Sequence, residues 1–186
     1  MTIGFAMCGS FCTYSDVFPM VELLCRDYSV IPILSQNACT INSRFGTTED
    51  HIGMLTELCG ISPITTIPQA EPIGPKKLLD ALVIAPCTGN TIAKLAHAIA
   101  DTPVTMAVKS HLRNNRPVVV AVSTNDGLGG AAENIGRLLA RKHYYFVPFR
   151  QDDPVQKPNS LIADFHLIPQ TLQKALEGRQ IQPILL

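Results

Sequence analysis

The stretch Ala81-Leu82-Val83-Ile84-Ala85-Pro86-Cys87-Thr88-Gly89-Asn90-Thr91 decides how this chain folds. Its opening apolar run has the length and branching of a buried strand. Beyond the turn, Ile92, Ala93, Leu95, Ala96 and Ile99 recur at helical spacing. A strand that leaves through a small, polar, glycine-containing turn and re-enters as a helix gathers several unpaired N–H groups. Those amides and the positive end of the helix dipole face one crevice, which suits a phosphate or carboxylate. In open α/β sheets such crevices lie outside the carboxyl ends of the strands. The first expectation is an anionic small molecule bound at that edge.

Outward from this unit the pattern repeats. Thr2 to Met7 reads as a strand, Cys8-Gly9-Ser10-Phe11-Cys12-Thr13 as its exit turn, and Val17, Met20, Val21, Leu23 and Leu24 as a helix ending near Asp27. Val30 to Leu34 is a second strand, closed by Ser35-Gln36-Asn37. Thr47 with Glu49 and Asp50 opens a helix that stops at Gly60. Ile61 to Pro75 reads as a loop or a short edge strand. A helix over Val104 to Arg113 precedes Pro117 to Val122, the clearest buried strand, whose exit turn is Ser123 to Gly127. A helix from about Ala131 to Arg141 and a last strand, Tyr144 to Val147, follow. Gln151 to Asn159 is polar and contains proline, so it reads as a loop or flap, and a helix over Pro169 to Glu177 closes the chain. Strand–helix alternation throughout specifies the α/β class: one three-layer α/β/α domain over residues 1–186, with a parallel Rossmann-like sheet. Residues 151–186 form its polar flap and C-terminal helix.

Bulk properties narrow the function. Lys+Arg and Asp+Glu both total 15 in 186 residues, so no net field draws in nucleic acid or an anionic membrane. With 46% hydrophobic and 16% charged residues, burial of apolar surface in a homo-oligomer is expected. The start carries no basic leader, no apolar run approaches a membrane span of ~20 residues, and a cytoplasmic location is expected. Six cysteines, at 8, 12, 25, 39, 59 and 87, show neither a disulfide framework nor metal spacing, and read mostly as reduced, buried small hydrophobes. Cys87 is the expected exception, on a turn that faces the crevice.

Three turns converge on one edge. In the first, Gly9 allows close backbone approach and Ser10 offers a hydroxyl. Neither the G-x-G-x-x-G spacing nor a Gly-Lys-Ser/Thr loop is present, and plain turn chemistry also accounts for Gly9-Ser10. In the second, Thr88 or Asn90 is either a helix cap or a ligand contact. The third, with Asn125 and Asp126, is either an Asx-type turn or a binding loop. The five histidines have no metal spacing, so no metal site is expected. Lys109, Arg113 and Arg116 read as helix C-terminal charges.

Several of these residues resemble the flavoprotein family that includes peptidyl-cysteine decarboxylases, phosphopantothenoylcysteine decarboxylase and flavin prenyltransferases. Gly9-Ser10 matches the family turn that holds the FMN phosphate, and Ser35 falls where the family keeps a Ser or Thr near the flavin. Pro86-Cys87-Thr88-Gly89-Asn90-Thr91 matches the Pro-Ala-Ser-Ala-Asn-Thr signature that contacts FMN. Asn125 aligns with an Asn that binds a substrate carboxylate. The resemblance thus implies FMN held by Gly9, Ser10, Ser35, Pro86, Cys87, Thr88 and Asn90. Two departures stand out: Pro72 occupies the position of the decarboxylases' His, and Thr124 replaces the Met before Asn125.

Within the family the chain resembles the branch of dipicolinate synthase B subunits. Met7 to Thr13, Ala121 to Asp126, and Tyr145 to Pro154 with Lys157-Pro158-Asn159-Ser160 carry that similarity. It implies oxidation of a dihydrodipicolinate-type dicarboxylate to dipicolinate in the mother cell of a sporulating bacterium. An A subunit would bring NADPH or NADP, and trimers or their multiples would hold FMN between copies. Asn125 and Lys157 would then bind substrate, with Asn125 and Asp126 as catalytic candidates. Two alternatives stay open: a non-redox scaffolding subunit that completes the A subunit's site, and a stand-alone FMN-dependent decarboxylase or flavin prenyltransferase.

Overall fold

A computed structural model describes residues 1–186. Its first half contains β1 (Thr2–Met7), α1 (Tyr14–Asp27), β2 (Ser29–Leu34), α2 (Gln36–Thr40), α3 (Thr48–Cys59), α4 (Ile67–Ala70) and β3 (Ala81–Cys87). The second half contains α5 (Gly89–Ala96), α6 (Pro103–Leu112), β4 (Val118–Thr124), α7 (Ala132–Leu139), β5 (Tyr144–Phe146), β6 (Phe149–Asp153), β7 (Lys157–Ala163) and α8 (Ile168–Leu176).

All seven residues of β3 are buried, because this strand has neighbours on both edges and helices on both faces. It pairs in parallel with β1 and β4, and β1 pairs in parallel with β2. The helices separate into two layers as right-handed crossovers require: α1 and α8 pack against one face, while α5, α6 and α7 pack on the other. A continuous cluster of 49 buried hydrophobic residues, from Ile3 to Ala175, fills both layers. Local signals agree with the elements they open and close. Thr47 and Asp50 form a capping box on α3, and Gly60 ends that helix in the left-handed region at φ 72°.

The expected parallel sheet is extended at one end by an antiparallel hairpin. β4 divides its pairing: Val118 to Val120 align with β5, while Ser123 and Thr124 pair with Ile162 and Leu161 of β7. β6 and β7 are antiparallel, so residues 151–159 are a strand pair and its tip, not a loop. The polar sequence there reflects solvent contact: β6 buries only Phe149, and the Asp153 side chain accepts from the Val155 and Gln156 amides to make the turn. Ile61 to Pro75 holds the short helix α4, capped by Thr66 and Gln69, and only Ile64 bridges to β2.

Candidate functional site

The carboxyl edge of β1, β3 and β4 opens into two adjoining clefts, of about 610 and 410 Å³, which share Gly9, Thr88 and Asn90. The larger runs beneath the hairpin and is lined by Ser10, Asn125, Asp126 and Lys157. The smaller runs towards β2 and is lined by Ser35, Asn37 and Lys94. The structure thus brings together Gly9, Ser10, Ser35, Thr88, Asn90, Asn125, Asp126 and Lys157 at one edge.

At the junction the backbone is left with donors. The amides of Gly9, Gly89 and Asn90 find no acceptor within the chain. Those of Gly89 and Asn90 are the orphan donors of the first turn of α5, added to the positive end of its dipole. Thr88 is the helix cap: its side chain accepts from the Thr91 amide, and its hydroxyl donates to Thr91 Oγ1 at 3.2 Å. Asn90 does not cap. Its exposed side chain stays available to the cleft. Ser35 likewise caps α2, accepting from the Ala38 amide at 3.3 Å.

Side chains lock the three turns together. Ser10 Oγ and Ser123 Oγ are 2.8 Å apart, a hydrogen bond between the first and third turns. The second turn lies against the third so closely that a Cβ on Gly89 would sit 2.6 Å from Thr124 Oγ1 and 2.8 Å from Asp126 Oδ1. Thr124 donates to Asp126 Oδ1, while the Asp126 carbonyl accepts from the Gly129 and Ala131 amides. Asp126 is therefore part of a folded loop and still presents a carboxylate to the cleft.

Two expected contacts are corrected. Pro86 and Cys87 are buried and line neither cleft. As the last residues of β3 they have packed helices on both sides, so their side chains point into the core. Burial pushes the Cys87 thiol well above its ordinary pKa and keeps it protonated. Thr91 donates to Cys8 Sγ at 3.3 Å, which makes this pair of cysteines a floor for the turns. The expectation of mostly buried cysteines holds for Cys8 and Cys87 alone; Cys12 is exposed and the other three are half-buried.

Every cation lining the clefts already has a carboxylate. Lys157 Nζ lies 2.7 Å from Asp152 Oδ2, which raises the lysine's pKa, and Lys94 Nζ lies 2.8 Å from Asp101. No histidine lines either cleft, and Pro72 lies away from both, in the 3-10 turn Glu71–Ile73. His51 is buried behind the site, stacked on Phe11 at 6.2 Å between ring centres. Phe11, Phe45, Asp152 and Ser160 also line the larger cleft, and the sequence alone does not single them out. Phe11 stands in a turn already marked, but the others need the hairpin and its neighbouring loop to be placed.

Comparison with known proteins gives the lineage. Residues 1–141 match the family model Flavoprotein. The chain is 48% identical to the B subunit of dipicolinate synthase from Bacillus subtilis (strain 168) over 98% of its own length and 92% of that protein's. The crystal structure of the dipicolinate synthase B subunit from Bacillus halodurans C superposes with a TM-score of 0.91 and 44% identity, covering 100% of this chain and 95% of that one. The FMN-dependent cysteine decarboxylase SpaF, 22% identical with a TM-score of 0.71 over 94% and 97% of the two chains, shares the fold. The chain belongs to the Flavoprotein family, within its group of dipicolinate synthase B subunits.

Proposed function

We propose that this chain binds FMN at the junction of the two clefts. With an A-type subunit it would oxidise a dihydropyridine dicarboxylate to dipicolinate. The observation that carries the reading is the cradle of unpaired Gly9, Gly89 and Asn90 amides, which suits a phosphate without needing a cationic side chain. Two clefts meeting there give room for a phosphate-bearing cofactor on one side and a small ring on the other. FMN would supply a two-electron acceptor.

The chain's own groups then divide the remaining work. Ser10, held by Ser123, and Ser35 stand beside the phosphate position. Asn90 and Asn125 orient the ring and a substrate carboxylate, and Lys157 turns from Asp152 to the second carboxylate. Aromatisation removes two electrons and two protons; both electrons and one proton would leave together as a hydride to the flavin, which leaves one proton for a base. Asp126 is the lining carboxylate of the larger cleft with no cation partner, and its Oδ2 is free to take a proton while Oδ1 holds the Thr124 hydroxyl. NADPH or NADP would enter only with the A-type partner. We also take residues 1–186 as one functional unit, hairpin included, working as a homo-oligomer in the mother-cell cytoplasm. No helix is long and apolar enough to cross a membrane.

A second reading, a scaffolding subunit without redox chemistry, is favoured by the absence of any histidine lining the clefts. FMN titration of the purified chain, alone and with its A-type partner, separates the two. Near-stoichiometric binding with loss of flavin fluorescence is expected. No binding in either state would remove the flavin reading and leave the scaffold.

A further inference from the structure

A third cavity, of about 420 Å³, shares no residue with the two clefts and lies between the end of α5, one side of α6 and the entry to β5. Its wall is apolar, built from Leu95, Ile99, Val108 and Leu112. Its rim carries Lys109, Arg141 and Lys142, and no acidic residue lines it. Lys109 and Lys142 are exposed and have no carboxylate partner. The nearby Asp101 is already paired with Lys94. Arg141 is fixed in place, donating to the carbonyls of Leu95 at 3.0 Å and Ala96 at 2.6 Å, with guanidinium donors to spare.

One polar group inside the cavity has no assigned work. Tyr144 is only 8% exposed, lines the cavity, and its hydroxyl makes no hydrogen bond within the chain. The ring is buried while the hydroxyl opens to the cavity, so an arriving acceptor can take its hydrogen bond. Burial, with Arg141 opposing, pushes its pKa up to about 12, so at neutral pH it is a donor. Two of the four non-glycine residues with positive φ, Ala98 at 57° and His143 at 69°, also line this cavity.

We propose that this cavity is a second binding site, for a small amphipathic anion: a flat or short-chain apolar body bearing one carboxylate, sulfonate or phosphate. The body fills the Leu95–Leu112 wall, and the anionic head meets Arg141, Lys142 and the Tyr144 hydroxyl. Charge complementarity selects an anion, because the site offers three cations and no acid. The apolar wall excludes inorganic anions as full ligands.

The probe is 8-anilinonaphthalene-1-sulfonate, titrated by fluorescence into the purified full chain with and without saturating FMN. One saturable site, indifferent to FMN, is expected. Joint Lys109→Glu and Lys142→Glu substitution should weaken it by about tenfold or more, and Tyr144→Phe by roughly fivefold, for loss of a charge-assisted hydrogen bond. The glutamates lie on the exposed rim and Tyr144→Phe keeps the ring, so circular dichroism should show all variants folded. Displacement of the probe by FMN, or equal affinity in all variants, would overturn the assignment. So would sedimentation showing that the probe binds only when an oligomer dissociates, since a second copy would then cover the cavity.

Discussion

Lowering the pH from 7 to 5 should destabilise this protein in part through His111. Its side chain is fully buried near the end of α6, and Nε2 lies 3.1 Å from the Pro117 carbonyl at the entry to β4. Nδ1 has no partner at all. Burial, opposed by the Pro117 carbonyl and assisted by Arg116, holds its pKa down to about 4. In the unfolded chain the imidazole titrates at about 6.5. Between these values the unfolded state binds a proton that the native state refuses, so stability falls as the pH drops through 6.5 towards 4. The gap of about 2.5 pH units corresponds to about 3.4 kcal/mol in total, of which about 2 kcal/mol is lost between pH 7 and 5. Urea unfolding at pH 7, 6 and 5, compared between the parent and His111→Gln, isolates this share. The variant keeps an N–H for Pro117 but no titration, and carboxylate contributions cancel in the difference. Equal losses in both proteins, within about 0.5 kcal/mol, would refute the reasoning. FMN titrations belong above pH 6.5 for the same reason.

Two further predictions concern the joined turns. Gly89→Ala places a Cβ within 2.6 Å of Thr124 Oγ1, so the third turn must retreat, and we expect a loss of roughly 1–3 kcal/mol by urea unfolding together with weaker FMN binding; a variant as stable as the parent with unchanged FMN affinity would sink the close-approach argument. The Ser10–Ser123 hydrogen bond should appear as a coupling of about 0.5–1.5 kcal/mol in a double-mutant cycle with alanine at each position, whereas additive losses would mean that the first and third turns are positioned independently.

The parallel strands are legible in the sequence because each carries enough apolar residues to be buried on both faces, as in Val118-Val119-Val120-Ala121-Val122. The hairpin is not, since β6 faces solvent over most of its length and its polar residues look like those of a loop. The same feature hides Asp152 and Ser160, which reach the site only through the pairing of β7 with the end of β4. β4 itself runs two residues further than its apolar run because Ser123 and Thr124 gain ladder partners there. The helix α2 is hidden for a different reason. Five residues capped by Ser35 give too little periodicity to read, and Ser35 looks like a turn residue.

Cys87 and Asn90 show where sequence stops distinguishing ligand contacts from scaffolding. Both stand in one motif, yet one faces the core and the other the cleft, because the chain changes from strand to helix between them and the side-chain direction changes with it. The motif as a whole positions amides, and amides have no sequence signature. Every lining cation is already neutralised, by Asp152 or Asp101. In the proposed reading, attraction of a phosphate to the junction therefore falls to the Gly9, Gly89 and Asn90 amides and the α5 dipole, which act together only while the three turns stay in register. The small residues and hydroxyls at this edge follow from that demand: Gly89 lets the second turn approach the third, and Ser10 bonds Ser123 to fix the first. If a phosphate binds at this edge as proposed, its site is a property of how the turns pack, and a change at Thr124 or Ser123, neither at a position marked as a ligand contact, should weaken binding as directly as one at Asn90.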